Sequence, residues 1–321
     1  MKALGAFAVV LLVSACEPRS ISFQSPTPTG STATAAAGSP SASPSPTAKP
    51  TLRPLPSPPP VSRLLSYERG GDVGQPSLRL LLLADGRVIT EEASGELFER
   101  RLTPSGAASL LLQAIQTGYF EKDATYPREP LPGSTPPAHG TTSIFFVVTN
   151  GAREVHVATI PTGQPDDNLY QPSAIRDKLS ALARSYEDLS WIPATSWTDA
   201  TPRNYEAAFH RVFVLPAANV PAPVSTADVA TAWPFTPEPD AFGEPVAGTA
   251  QPWRCAIVGL EDARVIGDSL ARARALTRYT SGLRTINTTL AWKAASGAVV
   301  FQMSPLLPHE APTCAGSQPT F

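Results

Sequence analysis

The chain has 321 residues, with 25 Lys plus Arg against 27 Asp plus Glu and a formal net charge of −2. That balance carries no basic excess of the kind a nucleic-acid partner demands of its protein, so nucleic acid is excluded as the expected partner. Pro, at 36 residues, is about double its usual ~5% share, and the excess is concentrated between residues 17 and 60. Beyond that tract remain roughly 260 residues, enough for one large domain or two small ones.

Met1-Lys2 supplies a basic start, and Ala3 to Val13 is apolar apart from Gly5. This is the order of a secretory signal peptide. The run is too short to cross a bilayer, which takes ~20 apolar residues. Val13-Ser14-Ala15-Cys16 places an aliphatic residue and two small ones before a Cys. The segment resembles the lipobox of bacterial lipoproteins, a resemblance that covers residues 1–16. It implies a signal peptide over 1–15, cleavage before Cys16, and a thioether-linked diacylglycerol on Cys16. The protein is then expected at the cell membrane, lipid-anchored on its extracytoplasmic side. Two or three acyl chains, at about 0.8 kcal/mol per buried methylene, hold where a single chain is marginal. Glu17 departs from the Asp that marks inner-membrane retention in organisms with two membranes.

Residues 16–60 read as a stalk. Twelve Pro are interleaved with Ser, Thr, Ala and Gly, and Phe23 is the single aromatic. Such a tract buries too little apolar surface to fold, and its Pro content keeps it extended. O-glycosylation of its Ser and Thr is the alternative use.

An α+β domain is expected over 61–215. Arg63 to Tyr67 and Ser77 to Ala84 read as strands, with Gly70-Gly71 as a turn. Asp85-Gly86 is a hairpin signal followed by a return strand from Arg87 to Thr90. Leu97 to Leu102 is a further strand. Thr103-Pro104 caps a helix with Ala107, Leu110, Leu111, Ala114 and Ile115 on one face, ended by Gly118. Residues 121–140 read as a Pro-rich loop. Ile144 to Val148 returns around Asn150-Gly151 to Val155 and Val157. Pro172 opens a second helix, with Ile175, Leu179, Leu182, Ala183 and Tyr186 facing inward. Tyr205 to Leu215 closes the domain as a strand.

A Pro-rich connection follows over 216–252, held to the head by Trp233, Phe235 and Phe242. A smaller α+β unit with a disulfide is expected over 253–321. It comprises a strand from Arg254 to Val258 and a helix starting at Glu261-Asp262, with Ala263, Ile266, Gly267, Leu270 and Ala273 on one stripe. Strands then carry Leu290 and Trp292, and Val299, Phe301 and Met303. Strands in runs, with helices interposed, predict antiparallel sheets with packed helices. The helix at 103–117 with its Asn150-Gly151 hairpin parallels the helix at 261–276 with its Ser296-Gly297 hairpin. Two related helix-plus-hairpin units are the expectation that follows.

Cys255 and Cys314 are an even pair in an oxidising compartment, and a disulfide is their simplest use. Metal ligation is the rival, but neither has a Cys or His at ligand spacing. No Walker loop, Gly-x-Gly-x-x-Gly, His-Glu-x-x-His or Gly-x-Ser-x-Gly occurs, so the common nucleotide, zincin and α/β-hydrolase chemistries have no signature here. His139, His156, His210 and His309 are isolated. His139 stands four residues before Ser143 without defined geometry, and His156 alternates outward. Asp166-Asp167-Asn168 offers oxygens for calcium or a solvated turn. Arg264, Arg272, Arg274, Arg278 and Arg284 form a local basic cluster, partly paired along the helix with Asp268. Asn287-Thr288-Thr289 matches the N-glycosylation pattern by coincidence. The expected role is non-catalytic binding or interaction at the envelope, with an envelope protein or a glycan as partner and no cofactor or metal. Trp233, Trp253, Arg264, Arg272 and Arg274 are the candidate binding surface. An extracytoplasmic hydrolase acting on envelope material is the alternative.

Overall fold

The computed structural model describes residues 49–55, 61–71, 77–92, 95–136, 142–217, 232–247, 253–272, 277–280, 285–288, 292–295 and 297–317. Cys16 and Arg274 lie outside them, as do His139, Arg284 and Leu290.

The first half builds β1 (Arg63–Gly71), β2 (Ser77–Leu83), β3 (Arg87–Glu91), β4 (Leu97–Arg101) and α1 (Pro104–Ile115). There follow β5 (Ala124–Tyr126), β6 (Thr142–Asn150), β7 (Arg153–Thr159), α2 (Ala174–Glu187) and β8 (Arg203–Asn204). The strands form one sheet in the order β5-β7-β6-β1-β2-β3-β4-β8. All pairs are antiparallel except β5 with β7. The local signals explain the elements. Gly86, at φ +84°, supplies the left-handed residue of the β2–β3 turn. The Thr103 hydroxyl accepts the Gly106 N–H at 3.1 Å, and Pro104 opens α1. Ser173 does the same for α2.

Both helices cover one face of this sheet. Leu65, Tyr67, Leu80, Leu82 and Phe146 from the strands meet Leu110, Ala114, Leu179 and Tyr186 from the helices. Each such large side chain contributes roughly 1.5–3 kcal/mol on burial. Tyr67 stacks on Phe146 at 5.1 Å between ring centres. On the opposite face Leu78, Leu81, Leu83 and Ile89, with Leu97 of β4, close around Leu307 from the C-terminal tail. A register irregularity between Tyr67 and Glu68 lets Leu78 and Leu81 share a face despite their odd spacing.

The second half builds β9 (Phe209–Pro216), β10 (Glu244–Pro245), β11 (Arg254–Gly259), α3 (Leu260–Arg272), β12 (Thr277–Thr280), β13 (Thr285–Thr288), β14 (Trp292–Ala294) and β15 (Gly297–Pro305). Its sheet runs β10-β11-β9-β15-β13-β12, with β14 pairing β15. One face packs Val212, Val214, Phe301 and Met303 against Ala263 and Ile266 of α3 and against Trp233, Phe235 and Phe242. The other packs Phe213, Leu215 and Val300 against Trp253 and Cys255. Cys255 and Cys314 form the expected disulfide, their Cα atoms 6.0 Å apart.

The chain is therefore α+β with antiparallel-rich sheets and packed helices. Four details differ from the sequence reading. β1 continues through Gly71 instead of turning at Gly70, because β6 pairs with it to the end. β5 lies inside the expected loop 121–140. β9, expected to finish the first domain, is the central strand of the second sheet. Its residues Val212 to Leu215 are buried on both faces, which suits a strand with neighbours on each side. On α3, Gly267 is exposed and Asp262 is buried, because Asp262 receives residues 49–55.

Those residues are the end of the expected stalk. Thr236 N–H donates to the Pro50 carbonyl at 2.9 Å, and Thr51 bridges Thr236. Leu52 packs on the second core. Lys49 pairs with Glu238 at 2.6 Å, and Arg53 with Asp262 at 3.3 Å. The tract is thus strapped to the head before β1 begins.

The two sheets share one arrangement. A leading strand (β1, β9) lies between a later strand (β2, β11) and a strand that returns after a helix (β6, β15). They differ around it: β6 runs on into β7, whereas β15 takes β14 from before it.

Candidate functional site

β3 and β4 pair with Val88 opposite Arg100 and Thr90 opposite Phe98. Alternation puts these four on the helix-covered face. Among the described residues none from α1 or α2 lines this end of the sheet. Two 3-10 turns, Leu189–Trp191 and Ala194–Ser196, stand there instead. Between strands and turns lies a cleft of about 460 Å³, lined by these residues and by Leu189, Ile192, Ala194, Trp197 and Pro202. That volume, with a lining of both apolar and polar side chains, is in the range of a small-molecule site.

The wall is fixed by backbone bonds. Thr103 N–H donates to Ser196 O at 2.9 Å, and Thr198 N–H to Arg101 O at 2.9 Å. Leu102 bridges Trp197. Arg101 N–H donates to the Asp199 carboxylate at 2.9 Å. Gly106 leaves room for this wall, since a Cβ there would sit 2.8 Å from Ser196 O.

Among the described residues Arg100 is the one cation lining the cleft. Its Nε donates to Asp199 O at 2.9 Å and its Nη2 to Ala200 O at 3.0 Å. Its guanidinium carbon stands 4.1 Å above the Trp197 ring. Among the described residues no carboxylate comes within 4.0 Å of it. Glu99 also borders the cleft, but its carboxylate is committed to Arg203 at 2.6 Å. Arg100 and Glu99 are thus held in structural bonds. Among the described residues Ser190 and Thr90 supply the cleft's hydroxyls and no His lines it.

The expected binding residues lie elsewhere. Trp233 is 1% exposed and Trp253 6%; they are core residues of the second sheet, so no exposed aromatic patch forms from them. The cause is packing. Trp233 stacks on Phe301 at 4.9 Å and meets Phe242 edge-on at 5.2 Å, while its Nε1 donates to Pro237 O at 2.9 Å. Trp253 keeps an edge on a small cleft of about 240 Å³ with Val214, Pro239 and Pro245. Arg264 is exposed but answered by Glu261 at 2.7 Å and Glu206 at 3.5 Å. Arg272 ends α3, and its side chain is outside the described residues.

Asp166 and Asp167 are half-buried and paired with arginines. Arg128, whose side chain is 2% exposed, reaches Asp166 at 2.6 Å and Asp167 at 3.1 Å and lies 3.5 Å over the Tyr170 ring. Arg176 adds a 3.2 Å contact to Asp167. The Arg128 bond holds the Asp166 carboxyl below its ordinary range. For Asp167, burial pushes upward, and the Gly163 and Gln164 N–H groups with Arg176 outweigh it. Among the described residues no three His, Cys, Asp or Glu side chains gather as a metal site. His156 is exposed, as its alternation with Val155 and Val157 predicts. Burial pushes the His210 ring down to about 4.

Phe98, Arg100 and Trp197 escaped the sequence reading. The one local signal was the pair of Trp in Trp191 to Trp197, a short Pro-containing stretch with no apolar period. No protein-family model matches the chain, and no curated protein matches it.

Proposed function

We propose that the protein is a membrane-anchored extracytoplasmic lipoprotein whose head binds an envelope component, without catalysis, in the cleft beside Trp197. The lipobox-like Val13-Ser14-Ala15-Cys16 supports the anchor, and the Cys255–Cys314 disulfide suits an oxidising compartment. The observation that carries the binding reading is the wall of the cleft. Residues 194–200 are pinned to β4 and to the start of α1, so the site is organised before any ligand arrives, and little ordering entropy opposes binding. The non-catalytic part rests on Glu99, the one carboxylate bordering the cleft among the described residues, being committed to Arg203. Two experiments test the reading. Cys16→Ala should release the protein from the membrane fraction, and retention there sinks the anchor. A thermal-shift panel of peptidoglycan fragments, envelope lipids and peptides should give a hit that Trp197→Ala abolishes. A ligand at 100 times its Kd stabilises by about 2.7 kcal/mol. A hit that Trp197→Ala leaves intact moves the site away from this cleft.

A further inference from the structure

Resting on the reading that this cleft is a ligand site, we propose that its ligand is an amphipathic anion: an apolar body carrying a carboxylate or phosphate head, with Arg100 as its counter-ion. Three observations converge. Val88, Phe98, Leu189 and Ile192 give part of the lining an apolar surface on which a hydrocarbon body can lie. Arg100 has its charge unanswered by any carboxylate among the described residues, while nearby Glu99 is matched by Arg203 at 2.6 Å and Asp85 by Arg87 at 2.7 Å. The orientation of Arg100 is set in advance. Two carbonyls hold Nε and Nη2, and Trp197 supports one face. Nη1 is the nitrogen left for a ligand oxygen, in the charge-assisted geometry that guanidinium groups offer to carboxylates and phosphates.

The test uses the full-length chain carrying Cys16→Ser, which lacks the lipid attachment point and is handled without detergent. Isothermal titration compares dodecanoate, dodecyl phosphate and dodecyl maltoside, each below its micelle concentration. Dodecanoate, dodecyl phosphate or both should bind at least about tenfold more tightly than dodecyl maltoside, since a charge-assisted hydrogen bond contributes roughly 1.5–3 kcal/mol and 1.4 kcal/mol is tenfold. Carboxylate alone points to free fatty acids as the source, phosphate alone to phospholipid-type heads, and both to charge as the sole criterion. Arg100→Gln should erase the preference and Arg100→Lys should retain most of it. Comparing the three ligands on the unsubstituted cleft keeps the test meaningful if Arg100→Gln loosens the wall. Equal binding of dodecyl maltoside overturns the anion inference but leaves the cleft a binding site. Binding of none of the three overturns the inference outright, and the thermal-shift panel then decides the broader reading separately.

Discussion

At Arg128 a buried guanidinium substitutes for the solvated turn that Asp166-Asp167-Asn168 had led us to expect. The side chain is nearly sealed, stacked on Tyr170 and shared between two carboxylates. Removing it strands Asp166 without a cation and leaves Asp167 with Arg176 alone. Arg128→Ala should therefore destabilise by about 3 kcal/mol, at the low end for a broken buried pair because both carboxylates still reach water. Urea denaturation reads this directly, and an unchanged midpoint would show that the cluster is ornamental to stability. Gly243 is a second position of this kind. It adopts φ +65°, and a Cβ would overlap the Cys255 carbonyl. Gly243→Ala should cost about 3 kcal/mol or more, the upper end for a strained left-handed residue. Neither effect is visible in the sequence. Arg128 and its partners are separated by 38 and 39 residues, and no local pattern ties them together.

Elements whose signals are local were legible. α1 begins at Pro104 as the Thr103-Pro104 cap predicts, and the Asp85-Gly86 and Asn150-Gly151 turns close their hairpins. Elements that depend on distant pairing were not. β5 is three residues long and exists because β7 offers it a partner edge. The cleft is the same case, since Arg100 and Trp197 meet only after the turns at 189–196 fold back on β4. The strap at 49–55 was hidden for another reason. Its composition is that of the stalk, so nothing in it announces order. Its contacts do: Arg53 answers Asp262, which is 2% exposed, and Leu52 joins the core. Deleting residues 49–55 should leave Asp262 buried without its cation and lower the stability of the second sheet by about 3 kcal/mol. Hydrogen exchange should quicken in α3 and spare α1. Equal protection in α3 with and without the strap counts against this docking.

Across the whole molecule the tail joins the two sheets. Leu307 is buried among Leu78, Leu81 and Ile89, the Leu306 carbonyl accepts the Tyr205 hydroxyl at 2.8 Å, and Cys314 fastens the segment to β11. Reduction releases a constraint across a separation of 59 residues, about 4 kcal/mol on the loop-entropy model. It should lower the melting temperature and also hasten exchange in β2, which carries no cysteine. Acid acts on the whole molecule too. His210 is half-buried on β9, and burial holds its ring at about 4, below the ordinary ~6.5. The neutral ring is the form the fold accepts. Its contribution is complete above about pH 6.5 and declines as pH falls toward 4, by up to about 3 kcal/mol. His210→Gln should flatten the stability profile across that window. A slope identical to that of the unsubstituted protein assigns the acid sensitivity to other groups.

The strap has a mechanical meaning if Cys16 is held in a membrane. Tension on the stalk is then borne first by the Lys49–Glu238 and Arg53–Asp262 contacts and by the Thr236–Pro50 bond. β1 feels no load until those contacts part. The sheet that carries the cleft is thereby shielded from tugging on its own leading strand. In a pulling experiment from residue 17, a small early rupture should precede the main unfolding event, and Arg53→Ala should weaken it.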